Sequence, residues 1–558
     1  MFKRNLVSAS AGVWFLFMTA QAGSSDLAGV KSALEGERFG LFSAEQFQIT
    51  TGKCQDCASI KQGLWYFQDD VLAVPKPSLP VAGFSKESRS HDDIRKWANS
   101  PEARTLTYPP LVWLGAPQIL DNVSITPDGK QVRSRDGTLL NFEVTPKIAT
   151  NLSYYDPSSV AFFGQRQVRM RGTLKQENNT TTFVARSIWP KDFIIDQSKL
   201  ANSPLKAPES LVSFVQHEGG GAKSPYATRL IWERNPGAAR QWQDKPVLGV
   251  MLNGAQGDDD EAYGGHFAVA TGKFGRNGEW ADWMVNNFYS LDSVSEKGII
   301  AASVPMDNYL ADLNSGQQYY RPSYMLVAVL NNPRTAEAYQ GGVQRLYNHF
   351  YRHDFVYNHS TANCTGISLD VFTALGWNIP KRGPTSAVKA IGAYGYLSAK
   401  EMSLASGRKI YNYLTEEQIR LYPAVAFDAA GNDLLQLVGA SPGLGRALSE
   451  YEKQLQSDIE ALVLVRIPQL PSSRVAGSNP IYSFDEFMQR TPADRSKWKV
   501  VPVGARPFPP ELRDGMALQE EKQSLVPLPI IEILGVVGLL VIVAMHLRRR
   551  KKRTLQGR

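Results

Sequence analysis

The chain has 558 residues, more than one small domain holds at roughly 100–200 residues per domain. Apolar residues make up 43%, charged 20% and aromatic 10%, which excludes a disordered or collagen-like chain. The net charge of +8 is terminal: nine Lys and Arg lie in 1–22 and 548–558, which hold no acid, leaving 52 basic against 53 acidic residues in 23–547 and no general affinity of the body for nucleic acid.

Residues 1–22 carry Lys3 and Arg4, a short apolar stretch around Val13–Met18, and Ala20-Gln21-Ala22 before Gly23, the layout of a secretory signal. Residues 23–104 read as mixed, with Cys54-Gln55-Asp56-Cys57 inside them. A haem site would need His where Ala58 stands, a zinc ribbon would need a second pair, and no βαβ pattern flanks the motif. A small structural disulfide between Cys54 and Cys57 is the remaining reading, and it leaves Cys364 single.

Residues 105–205 read as a β-rich module, sandwich or barrel, with strands expected over Leu111–Leu120, Val132–Val144, Val160–Leu174 and Thr181–Ile195 and a hairpin tip at Asn178-Asn179. Residues 206–420 change to mixed texture. Strands are expected over Pro246–Leu252, Gly264–Phe274, Trp280–Leu291 and Tyr324–Leu330, and helices over 334–352 and 364–375, the last closed by Gly376. Residues 421–499 read as helical, with a charged amphipathic helix over 442–463, and 500–529 as a Pro-rich, stalk-like linker. Ile530–Leu547 is an apolar run interrupted by Glu532, long enough at about 27 Å to cross a bilayer core. The basic tail 548–558 follows at once, which places the C-terminus in the cytoplasm and the body outside.

Two segments carry chemistry. In Gly264-Gly265-His266-Phe267, a histidine begins a strand after a glycine pair that permits close approach. In Asn363-Cys364-Thr365-Gly366, a cysteine follows a good N-cap, and Ile367, Val371 and Leu375 share a helix face. A helix start favours thiolate, so the expectation is a lowered thiol pKa, His266 as base, and N–H groups stabilising an oxyanion.

A histidine strand followed about a hundred residues later by Asn-Cys on a helix resembles the circularly permuted NlpC-type papain-like superfamily. That group includes lecithin retinol acyltransferase-like proteins and the periplasmic Lnb N-terminal domain group. The resemblance covers roughly residues 245–380. It implies a cysteine hydrolase or acyltransferase acting on amides or esters without a metal or other cofactor. Val526-Pro527-Leu528-Pro529, the apolar run and the arginines likewise resemble a VPLPA-CTERM sorting signal, which implies processing at the C-terminus in a Gram-negative bacterium.

A third polar group should orient His266. If Phe274 faces Glu279 across the turn, His266 faces Asn287; Asn286 and Asp282 are the alternatives. His349 and His353 at i, i+4 lack the Glu of H-E-x-x-H and read as helix-surface histidines, His359 as loop structure, and His217 as part of a mobile loop. Asp258-Asp259-Asp260-Glu261 reads as a solvated loop, or else as a rim for a cationic substrate or a calcium loop, the last without EF-hand spacing.

The expected protein is α+β, with a permuted papain-like catalytic domain, a β-rich N-terminal module and a C-terminal transmembrane helix. It is expected in the bacterial inner membrane with its body in the periplasm, acting on a cell-wall or envelope substrate. The alternative from another class is a non-catalytic envelope scaffold that keeps the fold.

Overall fold

The β-branched, apolar runs of the second half of the chain form the middle of a ten-stranded sheet. Its order is Ala227–Glu233, Ile459–Ile467, Ser323–Leu330, Pro246–Asn253, His266–Lys273, Met284–Asn286, Ser303–Pro305, Val112–Trp113, Val71–Pro75, Phe47–Thr51. All pairings are antiparallel except that of Ser303–Pro305 with Val112–Trp113. The computed structural model describes residues 29–491 and Asp494, apart from 53, 55–56, 58–60, 68–69, 84–89, 146–154, 218–220, 257–262, 289–301, 353–354, 356 and 444. Every residue of Pro246–Asn253 and Ser323–Leu330 is buried, so both faces of the sheet are covered there. Helices Arg334–Tyr351 and Pro423–Leu437 pack on this central region, and Cys364–Leu375 lies against the histidine strand.

A second sheet of six strands runs Val30–Ser32, Gln118–Ile125, Val168–Glu177, Thr180–Pro190, Leu139–Val144, Gln131–Arg133. Asn178 and Asn179 form its expected hairpin tip with φ +49° and +62°, the left-handed pair a two-residue turn needs. Buried ion pairs tie this sheet to the helix Met306–Ala311: Arg171 Nε meets both carboxylate oxygens of Asp307 at 2.9 Å, and Arg169 meets Glu37 at 2.8 Å and Asp307 at 3.3 Å.

The chain is α+β, as expected, but several elements differ. The strand expected over Val160–Leu174 begins as a helix, Pro157–Gly164, because Asp156 caps it with a reciprocal Ser159 bond and Pro157 takes the first turn; the strand starts at Val168. The helix expected over 442–463 is shorter, Glu450–Asp458, and gives way to the strand Ile459–Ile467, whose Ala461–Val465 core is wholly buried. The region 421–499 is therefore not purely helical. Helices Ala387–Lys400 and Leu404–Thr415 were not foreseen.

Cys54 and Cys57 are disulfide-bonded with Cα atoms 5.7 Å apart, and Cys364 is free. The signal segment, the Pro-rich linker, the run 530–547, the basic tail and the acid cluster 258–261 lie outside the described residues. Among the described residues no helix is long and apolar enough to cross a membrane.

Candidate functional site

Asn363 makes the cysteine helix begin where it does. Its backbone is extended, its Oδ1 accepts the N–H groups of Thr365 at 3.0 Å and Gly366 at 2.9 Å, and its amide donates to His359 O and Leu421 O, both at 3.2 Å. Gly376 ends the helix with φ +109°. Cys364 is thus the first helical residue, and its side chain is 4% exposed.

The thiol is surrounded by donors. The backbone N–H of Phe267 and the hydroxyls of Thr365 and Tyr357 are directed at the sulfur, with Thr365 Oγ1 at 3.7 Å. The Cys364 N–H donates to the Tyr357 hydroxyl at 3.3 Å. Phe267 follows His266, so the sulfur sits against the peptide unit that joins histidine to strand. Burial nevertheless pushes the Cys364 pKa up, with the donors opposing. This corrects the expectation of a lowered thiol pKa: closure of the site outweighs the helix start, and the resting group is a thiol.

His266 is the first residue of its strand and is 3% exposed. The glycine before it is obligatory. Gly265 has φ +77°, and a Cβ there would stand 2.4 Å from Asn253 O and 2.9 Å from Pro480 Cβ. Across the sheet His266 pairs with Asn253, which pairs with Ser323. Asn253 is fully buried; its Nδ2 donates to Ser323 Oγ at 2.7 Å, and its Oδ1 accepts from the Tyr309 hydroxyl. The Tyr309 and His266 rings lie 6.4 Å apart. A polar row of His266, Asn253 and Ser323 under Tyr309 therefore lies across the ends of three inner strands of the sheet.

The hairpin register differs from the one expected. Val269 pairs with Asn286 and Thr271 with Met284, two residues out from the pairing that would set His266 opposite Asn287. The cause is the connection: after the turn at Gly275–Gly278 the chain makes a further turn through Trp280–Trp283, and the Trp283 indole occupies the space over Gly272, where a Cβ would stand 2.3 Å from it. Its Nε1 donates to Lys273 O at 2.8 Å. Asn287 instead donates its amide to Ala302 O at 3.0 Å and exchanges backbone bonds with the Tyr347 hydroxyl. Asn286 donates to Val269 O and accepts from Ser303 Oγ and Gln340 Nε2. Asp282 belongs to the charge cluster of Glu37, Arg169 and Asp307; desolvation, then the Glu37 charge, pushes it up to about 7.

Asn253, Tyr309 and Tyr357 were missed. Asn253 carried a signal, since it follows the expected strand Pro246–Leu252 at an Asn-Gly step, but the long connection to Gly264 hid its pairing. Tyr357 sits in a loop without periodicity. His349 is buried against Asp93, its Nε2 3.0 Å from Oδ2, rather than on a helix surface. His353 and the His217 side chain lie outside the described residues. Among the described residues no group of three or more His, Cys, Asp or Glu is placed to hold a metal ion. A cleft of about 320 Å³ lined by Val212, Arg382, Gln418, Val425, Asp428 and Tyr482 includes none of the thiol's neighbours.

No family model, no curated protein and no solved structure matches this chain.

Proposed function

We propose that the protein is an exported, membrane-anchored thiol hydrolase or acyltransferase of permuted papain-like design, acting on an amide or ester bond in the cell envelope. The observation that carries this reading is the position of the Cys364 sulfur, at a helix start and against the His266–Phe267 peptide.

His266 takes the thiol proton as the sulfur attacks the substrate carbonyl. A C–S bond forms and the carbonyl electrons move to oxygen. Collapse expels the amine or alcohol, which leaves with the proton from the imidazolium. Water then resolves the acyl-enzyme in a hydrolase, and an acceptor hydroxyl or amine does so in a transferase. Asn253 is the cross-strand neighbour of His266, and its amide is held by Ser323 and Tyr309.

The near-complete burial of the thiol favours the second reading, a non-catalytic envelope scaffold. The experiment is a screen of the reconstituted full chain against cell-wall fragments and acyl esters, with iodoacetamide labelling of the native protein in parallel. Turnover lost on Cys364→Ala and His266→Ala, by orders of magnitude each and without additivity, supports catalysis. A native Cys364 that neither labels nor supports turnover of any substrate sinks it.

A further inference from the structure

The helices Ala387–Lys400 and Leu404–Thr415 form an antiparallel hairpin whose chief partner is itself. They cross tightly, since a Cβ on Gly407 would meet Ser398 Oγ and the Tyr394 carbonyl. Their composition is that of buried helices, with Val388, Ile391, Tyr394, Tyr396, Leu397, Leu404, Ile410, Tyr411, Tyr413 and Leu414 among 29 residues. Yet Ala390 is the one buried residue of the first helix, and Gly407 and Leu414 are those of the second. At and near the tip, Met402 is 91% exposed, Tyr396 63% and Leu404 60%. An apolar tip left in water needs a covering surface.

Charge says which surface. Residues 387–415 hold Lys389, Lys400, Arg408 and Lys409 against the single acid Glu401, in a body whose overall balance is slightly acidic. Among the described residues Lys389 pairs with Asp485, whereas no ion pair engages Lys400, Arg408 or Lys409. Lys400 lies over the exposed Tyr396 ring at 5.4 Å and Arg408 over the half-buried Tyr411 at 5.5 Å, so the cations flank the hairpin's aromatics. Apolar tip residues, an amphipathic tyrosine and a basic rim are the features of an element that lies in the headgroup region of an anionic bilayer.

We infer that this hairpin is an interfacial membrane-docking element that inserts Met402 and Leu404 below the headgroups of anionic phospholipids. The inference goes beyond the proposed thiol chemistry and stands without it.

The test is an environment-sensitive fluorophore on Met402→Cys in the Cys364→Ala full chain, where the disulfide leaves the new cysteine as the reactive thiol. The expected result on reconstitution into phosphatidylcholine vesicles containing phosphatidylglycerol is a blue shift and an emission gain of about threefold over detergent, lost on Lys400→Glu with Lys409→Glu. Identical spectra in vesicles and detergent overturn the inference. Equal gains on pure phosphatidylcholine overturn it as an anionic-lipid site. A lipid-free shift that grows with protein concentration overturns it in favour of a second copy. Because the readout is not activity, its failure is distinct from failure of the thiol reading.

Discussion

At the scale of single residues, the thiol and one carboxyl decide the electrostatics. Burial is the leading cause acting on Cys364 and raises its pKa, while the Tyr357 hydroxyl is one of the donors pulling it back. Removing that hydroxyl raises the pKa further. In Tyr357→Phe the alkylation profile of Cys364 therefore moves to higher pH, and a profile that stays in place or moves down contradicts the arrangement. Asp282 carries the same lesson about hidden charge. Its folded pKa of about 7 lies above that of an unfolded carboxyl near 3.9, so the folded state holds the proton more tightly. Its contribution is fully present below about pH 4 and is lost as pH rises through about 7. Asp282→Asn should flatten that slope, so the gap in Tm between variant and wild type should widen in the variant's favour from pH 5 to pH 8. Asp282 keeps some contact with solvent, which holds the change to a few degrees.

At the scale of elements, caps and turns were more legible than register. The Asn363 cap, the Gly376 stop and the histidine strand follow from local chemistry that tertiary context did not overrule. Asn363→Ala removes two acceptor bonds at the helix start and two donor bonds to neighbouring loops, and should cost about 1–2 kcal/mol in denaturant unfolding. It should also alter Cys364 labelling, since the same residue sets the helix start. The pairing of Asn287 was not legible. Register there depends on how many residues the connection spends, and Trp283 folding over Gly272 is a contact between side chains that no periodicity announces. The strand Ile459–Ile467 was hidden for a related reason: a good capping box, Ser449 with Glu452, starts a helix, and nothing short of the β-branched run after Asp458 says that it stops.

At the scale of the whole molecule, the large sheet overrides the expected division into consecutive blocks. The strand Val112–Trp113, expected within the β-rich module, pairs with Ser303–Pro305, and Ile459–Ile467 from the C-terminal region separates Ala227–Glu233 from Ser323–Leu330. Sheet order is a long-range property, so composition and turn signals that mark segments cannot reveal which segments share a sheet. A chain ending at Arg420 lacks that internal strand. It should be recovered aggregated or without a cooperative unfolding transition, and a soluble, cooperatively unfolding product would contradict the topology.

The disulfide has a further consequence, one of timing. Cys54 and Cys57 are three residues apart, whereas Cys364 follows some 300 residues later. If the chain is secreted N-terminus first into an oxidising space, as proposed above, the early pair meets the oxidant and closes its small ring before the third sulfur has emerged. The bond thus removes the partners with which the late cysteine could be trapped. Cys57→Ser should release Cys54 to compete, and non-reducing peptide mapping should then find part of Cys364 joined to Cys54 or to another chain. Cys364 that stays entirely reduced in that variant would show that its own burial is sufficient protection.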